Sequence, residues 1–187
     1  MKLFIASDIH GDLEAATAVI ERYKESGADR LILLGDLLYH GPRNDLPEHY
    51  APKKVIELLN TYKNDILCVR GNCEAEVDQM VLDFPVLAEY ALIEVDGLRM
   101  FVTHGHKYNM NALPPLKKGD VLLHGHTHVT AATPFGDHNL YINPGSAAIP
   151  KENTPKGYII YEDRRFSFRH LCDGSEFMSY FSFAKEK

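Results

Sequence analysis

Lys2-Leu3-Phe4-Ile5-Ala6-Ser7-Asp8-Ile9-His10 opens the chain with an apolar run that stops at a carboxylate and an imidazole two residues apart. The pattern recurs: Arg30-Leu31-Ile32-Leu33-Leu34 runs into Gly35-Asp36, and Ile66-Leu67-Cys68-Val69 leads, after Arg70, to Gly71-Asn72-Cys73-Glu74. Farther on, Leu98 to Thr103 leads to His104-Gly105-His106, and Val121 to His124 leads to Gly125-His126-Thr127-His128. One Asp-x-His or His-x-His pair arises by chance in many proteins. Five clusters of carboxylate, amide and imidazole, each behind an apolar stretch, read as oxygen and nitrogen ligands gathered at the ends of several strands, enough for two metal ions.

The segments between the clusters set the fold class. Residues 2 to 7 read as a strand, and Leu13, Ala16, Val19, Ile20 and Tyr23 follow at helical spacing up to a stop at Gly27. Residues 30 to 35 form a second strand that delivers Asp36, and a Pro-punctuated loop runs from Tyr39 to Pro52. A helix with Val55, Ile56, Leu59 and Tyr62 on one face precedes a third strand, Ile66 to Val69, which delivers Asn72. Three strand-helix units predict an α/β fold with a parallel sheet and ligands at its carboxyl edge. The second half is mostly β: Ala91 to Val95 and Leu98 to Thr103 flank a hairpin signal at Asp96-Gly97, and further hairpins are expected around Gly136-Asp137 and from Glu162 to Arg165. No repeat, low-complexity tract or linker divides the chain, so residues 1–187 are expected to form one domain.

Composition narrows the function classes. With 45% apolar and 25% charged residues, the chain has ordinary globular content. A net charge of -6 leaves no basic footprint for nucleic acid. No stretch approaches the ~18 apolar residues of a membrane span, and the N-terminal run is too short for a signal peptide, which together predict a soluble, cytoplasmic protein. Three cysteines without regular spacing offer neither a disulfide framework nor a Cys-x-x-Cys zinc site. Any metal site is therefore of the oxygen and imidazole type.

As an ordered set, Asp8-x-His10, Gly35-Asp36, Gly71-Asn72-x-Glu74, His104 and Gly125-His126-x-His128 resembles the calcineurin-like metallophosphoesterase superfamily. The short chain, the His40-Gly41-Pro42-Arg43-Asn44 stretch, and a Cys73 where the superfamily usually has His are most similar to the small bacterial and archaeal phosphodiesterases of the YfcE type. Asn143-Pro144-Gly145-Ser146 fits that group as well. The resemblance implies a two-sheet β-sandwich flanked by helices, and hydrolysis of phosphodiester bonds by a metal-bridged hydroxide at a binuclear centre. It further implies that Asp36 bridges the ions, that Asp8, His10 and His128 complete one site, and that Asn72, His104 and His126 complete the other. Asp36, Asn72 and Cys73 are then the residues closest to the chemistry.

Those residue types suit the task. Two dications against Asp8 and Asp36 leave, with a bridging hydroxide, one positive charge, which a phosphodiester monoanion neutralises. Imidazole, carboxylate and amide ligands without thiolate suit Mn²⁺, Fe²⁺, Co²⁺ or Zn²⁺, and the resemblance favours Mn²⁺. The Cys73 thiol is a poor replacement for an acidic His, so substrates with acidic leaving groups are expected to turn over best. A covalent role for Cys73 has no adjacent base to support it.

Arg43, Asn44 and His106 are the expected substrate contacts, since a guanidinium fork matches phosphate oxygens. For Arg43 the competing reading is an ion pair with Asp45 or Glu48. Glu74 is expected to start the next helix and Asp12 to cap the first. His124 reads as strand-end packing, and His49, His138 and His170 as surface residues. The apolar tail of Phe177, Met178, Tyr180, Phe181 and Phe183 either docks on its own domain or makes a homo-oligomer. The alternatives to a phosphodiesterase acting on a small substrate are a phosphomonoesterase or protein phosphatase, a nuclease, and a non-catalytic scaffold resembling the retromer subunit of the same fold.

Overall fold

The computed structural model describes residues 1–182. The first three strands are β1 (Leu3–Ala6), β2 (Arg30–Leu33) and β3 (Ile66–Cys68), pairing in parallel in the order β1-β2-β3. They alternate with α1 (Leu13–Ser26) and α2 (Pro52–Asn60), and β3 is followed by a single-turn α3 (Glu76–Gln79). The chain then builds β4 (Tyr90–Val95), β5 (Leu98–Thr103), β6 (Val121–Leu123), β7 (Thr130–Phe135) and β8 (Asn139–Pro144), which form a second sheet in the order β4-β5-β6-β8-β7.

The last three strands, β9 (Gly157–Glu162), β10 (Arg165–His170) and β11 (Glu176–Phe181), return to the first sheet. β9 pairs antiparallel with β1, giving a six-stranded sheet in the order β11-β10-β9-β1-β2-β3. The parallel sheet expected from sequence is thus half of a mixed one. The physical reason is that β1 would otherwise present an unpaired buried edge, and the hairpins of the C-terminal half supply its partner.

The sheets face each other, and this explains why β1 reads as an unbroken apolar run: both of its faces are covered. Phe4 and Ala6 pack with Ala16, Val19 and Ile20 of α1 and with Val55 and Leu59 of α2. Leu3 and Ile5, on the other face, pack with Met100, Val102, Val121, Leu123 and Ile142 of the second sheet. Each fully buried aliphatic side chain stabilises by about 1.5–3 kcal/mol against exposure. Helix α1 has the boundaries its sequence announces: Asp12 accepts a hydrogen bond from Ala15 N at 3.0 Å, and Gly27, at φ 62°, ends it by donating to the Lys24 carbonyl.

The expected hairpins are present. Asp96 and Gly97 join β4 to β5 with φ of 53° and 69°, as a primed two-residue turn requires. Among the described residues, the helices pack on the first sheet alone. On the second sheet's outer face, Phe101 lies between Tyr90 (ring centroids 4.9 Å apart) and Tyr108 (5.5 Å). At the C-terminus, Phe177 packs on His170 at 4.8 Å, so His170 is half-buried rather than a free surface histidine. Met178 and Tyr180 pack on the inter-sheet core and Phe181 is 62% exposed, whereas Phe183 lies outside the described residues. Among the described residues no helix is long and apolar enough to cross a membrane.

Candidate metal centre

The polar clusters gather where the loops leaving β1, β2, β3, β5 and β6 meet. Backbone hydrogen bonds from Asp8 N to Gly35 O (3.2 Å), His10 N to Asp36 O (2.9 Å) and Gly11 N to Leu37 O (2.8 Å) lock the first two loops together. The second sheet approaches through Gly125, where a Cβ would run into the Ser7 hydroxyl and the Asp8 carboxylate. Five of the gathered side chains sit on left-handed backbone: Asp8 (φ 57°), His10 (50°), Asp36 (54°), His126 (67°) and His128 (60°). Non-glycine residues pay for that conformation, and such strain concentrates at functional sites.

Two groups flank Asp36. In the inner one, Asp8 Oδ1 is 3.2 Å from His128 Nε2 and 3.5 Å from His10 Nε2. In the outer one, His104 Nε2 is 3.1 Å from Asn72 Oδ1 and 3.2 Å from His126 Nδ1. Asp36 Oδ2 stands 3.7 Å from His10 Nε2 and 3.4 Å from His104 Nε2, between the two.

The arrangement fits cations. The Nδ1 atoms of His10, His104 and His128 lie 2.8, 2.7 and 2.8 Å from the carbonyl oxygens of Tyr39, Leu34 and Ile149. These acceptors hold a ring proton on Nδ1 and turn Nε2 inward, where it can take up a proton or a cation. The 3.2 Å approach of His10 Nε2 to His128 Nε2 then brings two nitrogens together, which repel unless a proton or a cation lies between them. Asp8 accepts from Ser7 Oγ (2.6 Å) and His126 N (3.0 Å) through Oδ2, while Oδ1 is buried without a donor. Asp8, His10 and His128 place their ligand atoms within 4.8 Å of one another, as do Asp8, Asp36 and His104.

Electrostatics point the same way. Burial opposes ionisation of Asp8 and Asp36, but the adjacent His10 and His128 for the first, and His104 for the second, outweigh it and hold both carboxyls below their usual range. His104 is pushed up to about 9, with burial opposing and Asp36 and Asp8 prevailing. His126 is pushed down to about 4 by burial and by the charge of His104. The site attracts positive charge before any ion is considered.

Glu74 does not start the next helix. Helix α3 begins at Glu76, where Asp78 accepts from Ala75 N at 2.7 Å. Glu74 is instead buried and accepts hydrogen bonds from Asp36 N (2.9 Å), Leu37 N (2.7 Å) and Gly71 N (2.5 Å). Its carboxylate therefore ties the Asp36 loop to the Asn72 loop. Gly71 permits this, because a Cβ there would strike the carboxylates of Asp36 and Glu74. Asn143 and Ser146 serve a similar end: Asn143 donates to Gly125 O and Thr127 Oγ1, both at 2.9 Å, and Ser146 Oγ donates to Asp8 O at 2.8 Å. Sequence reasoning assigned these two no role; the Asn143-Pro144-Gly145-Ser146 stretch was their only signal.

Cys73 lies against the shared carboxylate, with its N–H donating to Asp36 Oδ1 (2.9 Å) and its thiol to Oδ2 (3.3 Å). Burial, then the Asp36 charge, pushes that thiol up, which disfavours a thiolate nucleophile. His106 is half-buried 5.5 Å from the His104 ring, with an Nδ1 that is buried and unpartnered. Arg43 is exposed, and no ion pair with Asp45 or Glu48 forms among the described residues; Asn44 donates its amide to His40 O at 2.8 Å. His124 is buried and stacked on Tyr141 at 4.5 Å, a packing role. His49 is exposed and pairs with Glu14, and Asp12 caps α1.

Residues 1–164 match the calcineurin-like phosphoesterase superfamily domain. The chain belongs to that superfamily. It is 47% identical to phosphodiesterase YfcE of Escherichia coli K12 over 175 residues, covering 94% of this chain and 95% of that protein. The solved structure of the Escherichia coli YfcE phosphoesterase superposes with a TM-score of 0.94 at 45% identity, over 98% of this chain and 100% of that one. Phosphodiesterase MJ0936 of Methanocaldococcus jannaschii is 26% identical over 153 residues, 78% of this chain and 83% of that protein. Vacuolar protein sorting 29 from Cryptosporidium parvum, at 16% identity and a TM-score of 0.63 over 97% of this chain and 98% of that one, shares the fold. Membership in this superfamily implies divalent metal ions, and the converging carboxylates and imidazoles are the donors such ions use.

Proposed function

We propose that the chain is a metal-dependent phosphodiesterase that works at a binuclear centre. Asp8, His10, Asp36 and His128 would hold one ion; Asp36, Asn72, His104 and His126 would hold the other. Mn²⁺ is the first candidate, with Fe²⁺, Co²⁺ and Zn²⁺ suited to the same donors. The observation that carries this reading is the pairing of inward nitrogens on both sides of one carboxylate: His10 with His128 and His104 with His126, each pair 3.2 Å apart. The 47% identity to phosphodiesterase YfcE supports the choice of diesters.

When bound, such cations acidify water toward neutral pH and compensate phosphoryl charge. The chain's own groups do the remainder. Asp8 and Asp36, held ionised, attract the cations, and the Nδ1 hydrogen bonds of His10, His104 and His128 keep three imidazoles aimed. Asn72 contributes a neutral amide oxygen, so the outer position keeps more positive charge for a phosphate oxygen. Cys73 stands beside Asp36 with a thiol that gives up its proton reluctantly, so departure of the leaving group rests on that group's own acidity. Arg43 orients the phosphate and His106 lines the outer mouth. A small diester in the cytoplasm completes the reading.

The test uses protein stripped with chelator, assayed with bis-p-nitrophenyl phosphate and p-nitrophenyl phosphate. Diester hydrolysis is expected to return with Mn²⁺, and Asp36→Asn to lower kcat by about a thousandfold or more while reducing bound metal. Stoichiometric metal binding without hydrolysis of either ester would overturn the proposal in favour of a metal-stabilised binding module.

A further inference from the structure

Among the described residues, Cys73 is the one cysteine whose sulfur stands among other ligand atoms. Cys68 is buried with its thiol turned to the Val69 carbonyl at 3.4 Å, and Cys172 is exposed in the turn after β10. Cys73 Sγ lies 3.3 Å from Asp36 Oδ2, and the ligand atoms of His10, Asp36 and Cys73 all fall within 4.8 Å of one another. Nothing in the cysteine spacing announces a sulfur ligand, because the other two donors come from the loops after β1 and β2.

The spacing fits a tetrahedral ion. Bonds of ~2.0–2.3 Å to oxygen, nitrogen and sulfur place neighbouring ligand atoms roughly 3.3–3.6 Å apart. Asp36 Oδ2 is 3.3 Å from the sulfur and 3.7 Å from His10 Nε2. Each donor is also held from behind. The Tyr39 carbonyl aims His10 through Nδ1, the Cys73 N–H donates to Asp36 Oδ1 at 2.9 Å, and Asn72 Nδ2 donates to the sulfur at 3.2 Å. Asp8 gives an independent sign of a cation here: its Oδ1 is buried, has no hydrogen-bond donor and stands 3.5 Å from the same His10 nitrogen.

Hard and soft ions part company at such a set. Carboxylate and imidazole serve Mn²⁺, whereas a thiolate is a soft donor that favours Zn²⁺ and its congener Cd²⁺. We propose that Cys73 is a conditional metal ligand: its sulfur joins His10 and Asp36 around a thiophilic ion such as Zn²⁺ or Cd²⁺, and remains a thiol when the centre holds Mn²⁺. As the sulfur–metal bond forms, the S–H bond breaks and its proton passes to bulk water. This rests on the metal-centre reading above and adds a discrimination between ions that the oxygen and nitrogen donors do not supply.

The experiment uses the full chain carrying Cys172→Ser, which removes the exposed thiol, and compares it with the same chain carrying Cys73→Ser or Cys73→Ala as well. Each is stripped with chelator and titrated with Co²⁺, a spectroscopic stand-in for Zn²⁺ whose bond to sulfur gives a near-ultraviolet charge-transfer band. The chain that keeps Cys73 is expected to bind two ions and show the band, and the Cys73 variants to bind two ions without it. In competition titrations, loss of the sulfur should lower Cd²⁺ affinity by about tenfold or more and change Mn²⁺ affinity by less than about threefold. Retained Mn²⁺ binding shows the variants to be folded. Two bound Co²⁺ without the band in the chain that keeps Cys73 would overturn the inference and leave the metal centre standing, as would a band that survives in the variants. Equal losses of Cd²⁺ and Mn²⁺ affinity would make Cys73 a support for its neighbours and overturn the inference too. A chain that keeps Cys73 and binds no ion would remove the reading beneath, and the inference with it.

Discussion

The two halves of the candidate metal centre flank Asp36 and differ in their access to solvent. Asp8, His10 and His128 are 0%, 1% and 3% exposed, closed in by both sheets and by the Tyr39 and Ile149 carbonyls. On the other side His104 is equally buried, but Asn72 is exposed and His126 half-buried. The inner half carries an uncompensated carboxylate oxygen in a dry setting, where a charge without a partner is costly. The outer half has a neutral amide at its rim. The difference teaches that, on the proposed binuclear reading, the inner half would keep its cation and the outer half would exchange ligands.

The largest expected effect breaks the comparison at the ligands themselves. Asp8→Asn should empty the inner site and abolish diester hydrolysis, whereas His126→Gln should weaken the outer site by about 10- to 100-fold and leave one ion bound per chain. Metal analysis after timed exposure to chelator reads both: the native protein should lose one ion quickly and one slowly. Simultaneous loss of both ions would erase the distinction.

Glu74 tests whether the halves are coupled. Glu74→Gln replaces an acceptor of three backbone N–H bonds with an amide that presents N–H to some of them, at a cost of about 2–3 kcal/mol. Denaturant unfolding should register that loss, and the outer ion, dependent on the Asn72 loop, should bind less tightly than the inner. An unchanged midpoint would mean that the clasp is not structural.

Much of the inner half was legible in the sequence, because apolar runs ending in Asp8-x-His10 and Gly35-Asp36 announce both the strands and the side chains that converge at their ends. Asp12 and Gly27 likewise bound α1 by local capping chemistry, which sequence carries directly. What stayed hidden depends on contacts distant along the chain. The return of β9 to pair with β1 has no local signature, since any apolar strand could fill that edge. The carbonyls of Tyr39, Leu34 and Ile149 come from backbone, so no side chain marks them. Left-handed φ at Asp8, His10 and Asp36 falls on residues other than glycine, where sequence gives no cue. Glu74 was misread because an acid after Asn72 suits a helix start as well as a clasp, and only the approach of Gly71 to Asp36 decides between them.

A smaller effect is expected at Cys73, if the proposed reaction holds. Cys73 contacts Asp36 with a reluctant proton donor, so Cys73→His should raise turnover of diesters with alkyl leaving groups by about tenfold or more, and change nitrophenyl esters little. A plot of log kcat against leaving-group pKa would flatten in the variant. Parallel plots for both proteins would show that proton donation at position 73 does not limit the reaction.

The smallest effect concerns what lies behind the outer half. His124 is buried against Tyr141, with Nε2 unpartnered, and burial together with the His104 charge pushes its pKa down to about 4. A base whose pKa falls on folding contributes stability that is complete above its unfolded value of about 6.5 and is lost as pH drops from there toward 4. In metal-stripped protein this amounts to about 1 kcal/mol between about pH 7.5 and pH 5.8. His124→Phe keeps the ring stack and removes the titration, while the Gly125 carbonyl retains Asn143 Nδ2 and Thr127 N as donors. The variant should therefore lose less stability than the native chain over that interval, measured by denaturant unfolding at both pH values. Equal losses would locate the acid sensitivity in the ligand carboxylates and imidazoles, and would make the packing behind the outer half indifferent to charge.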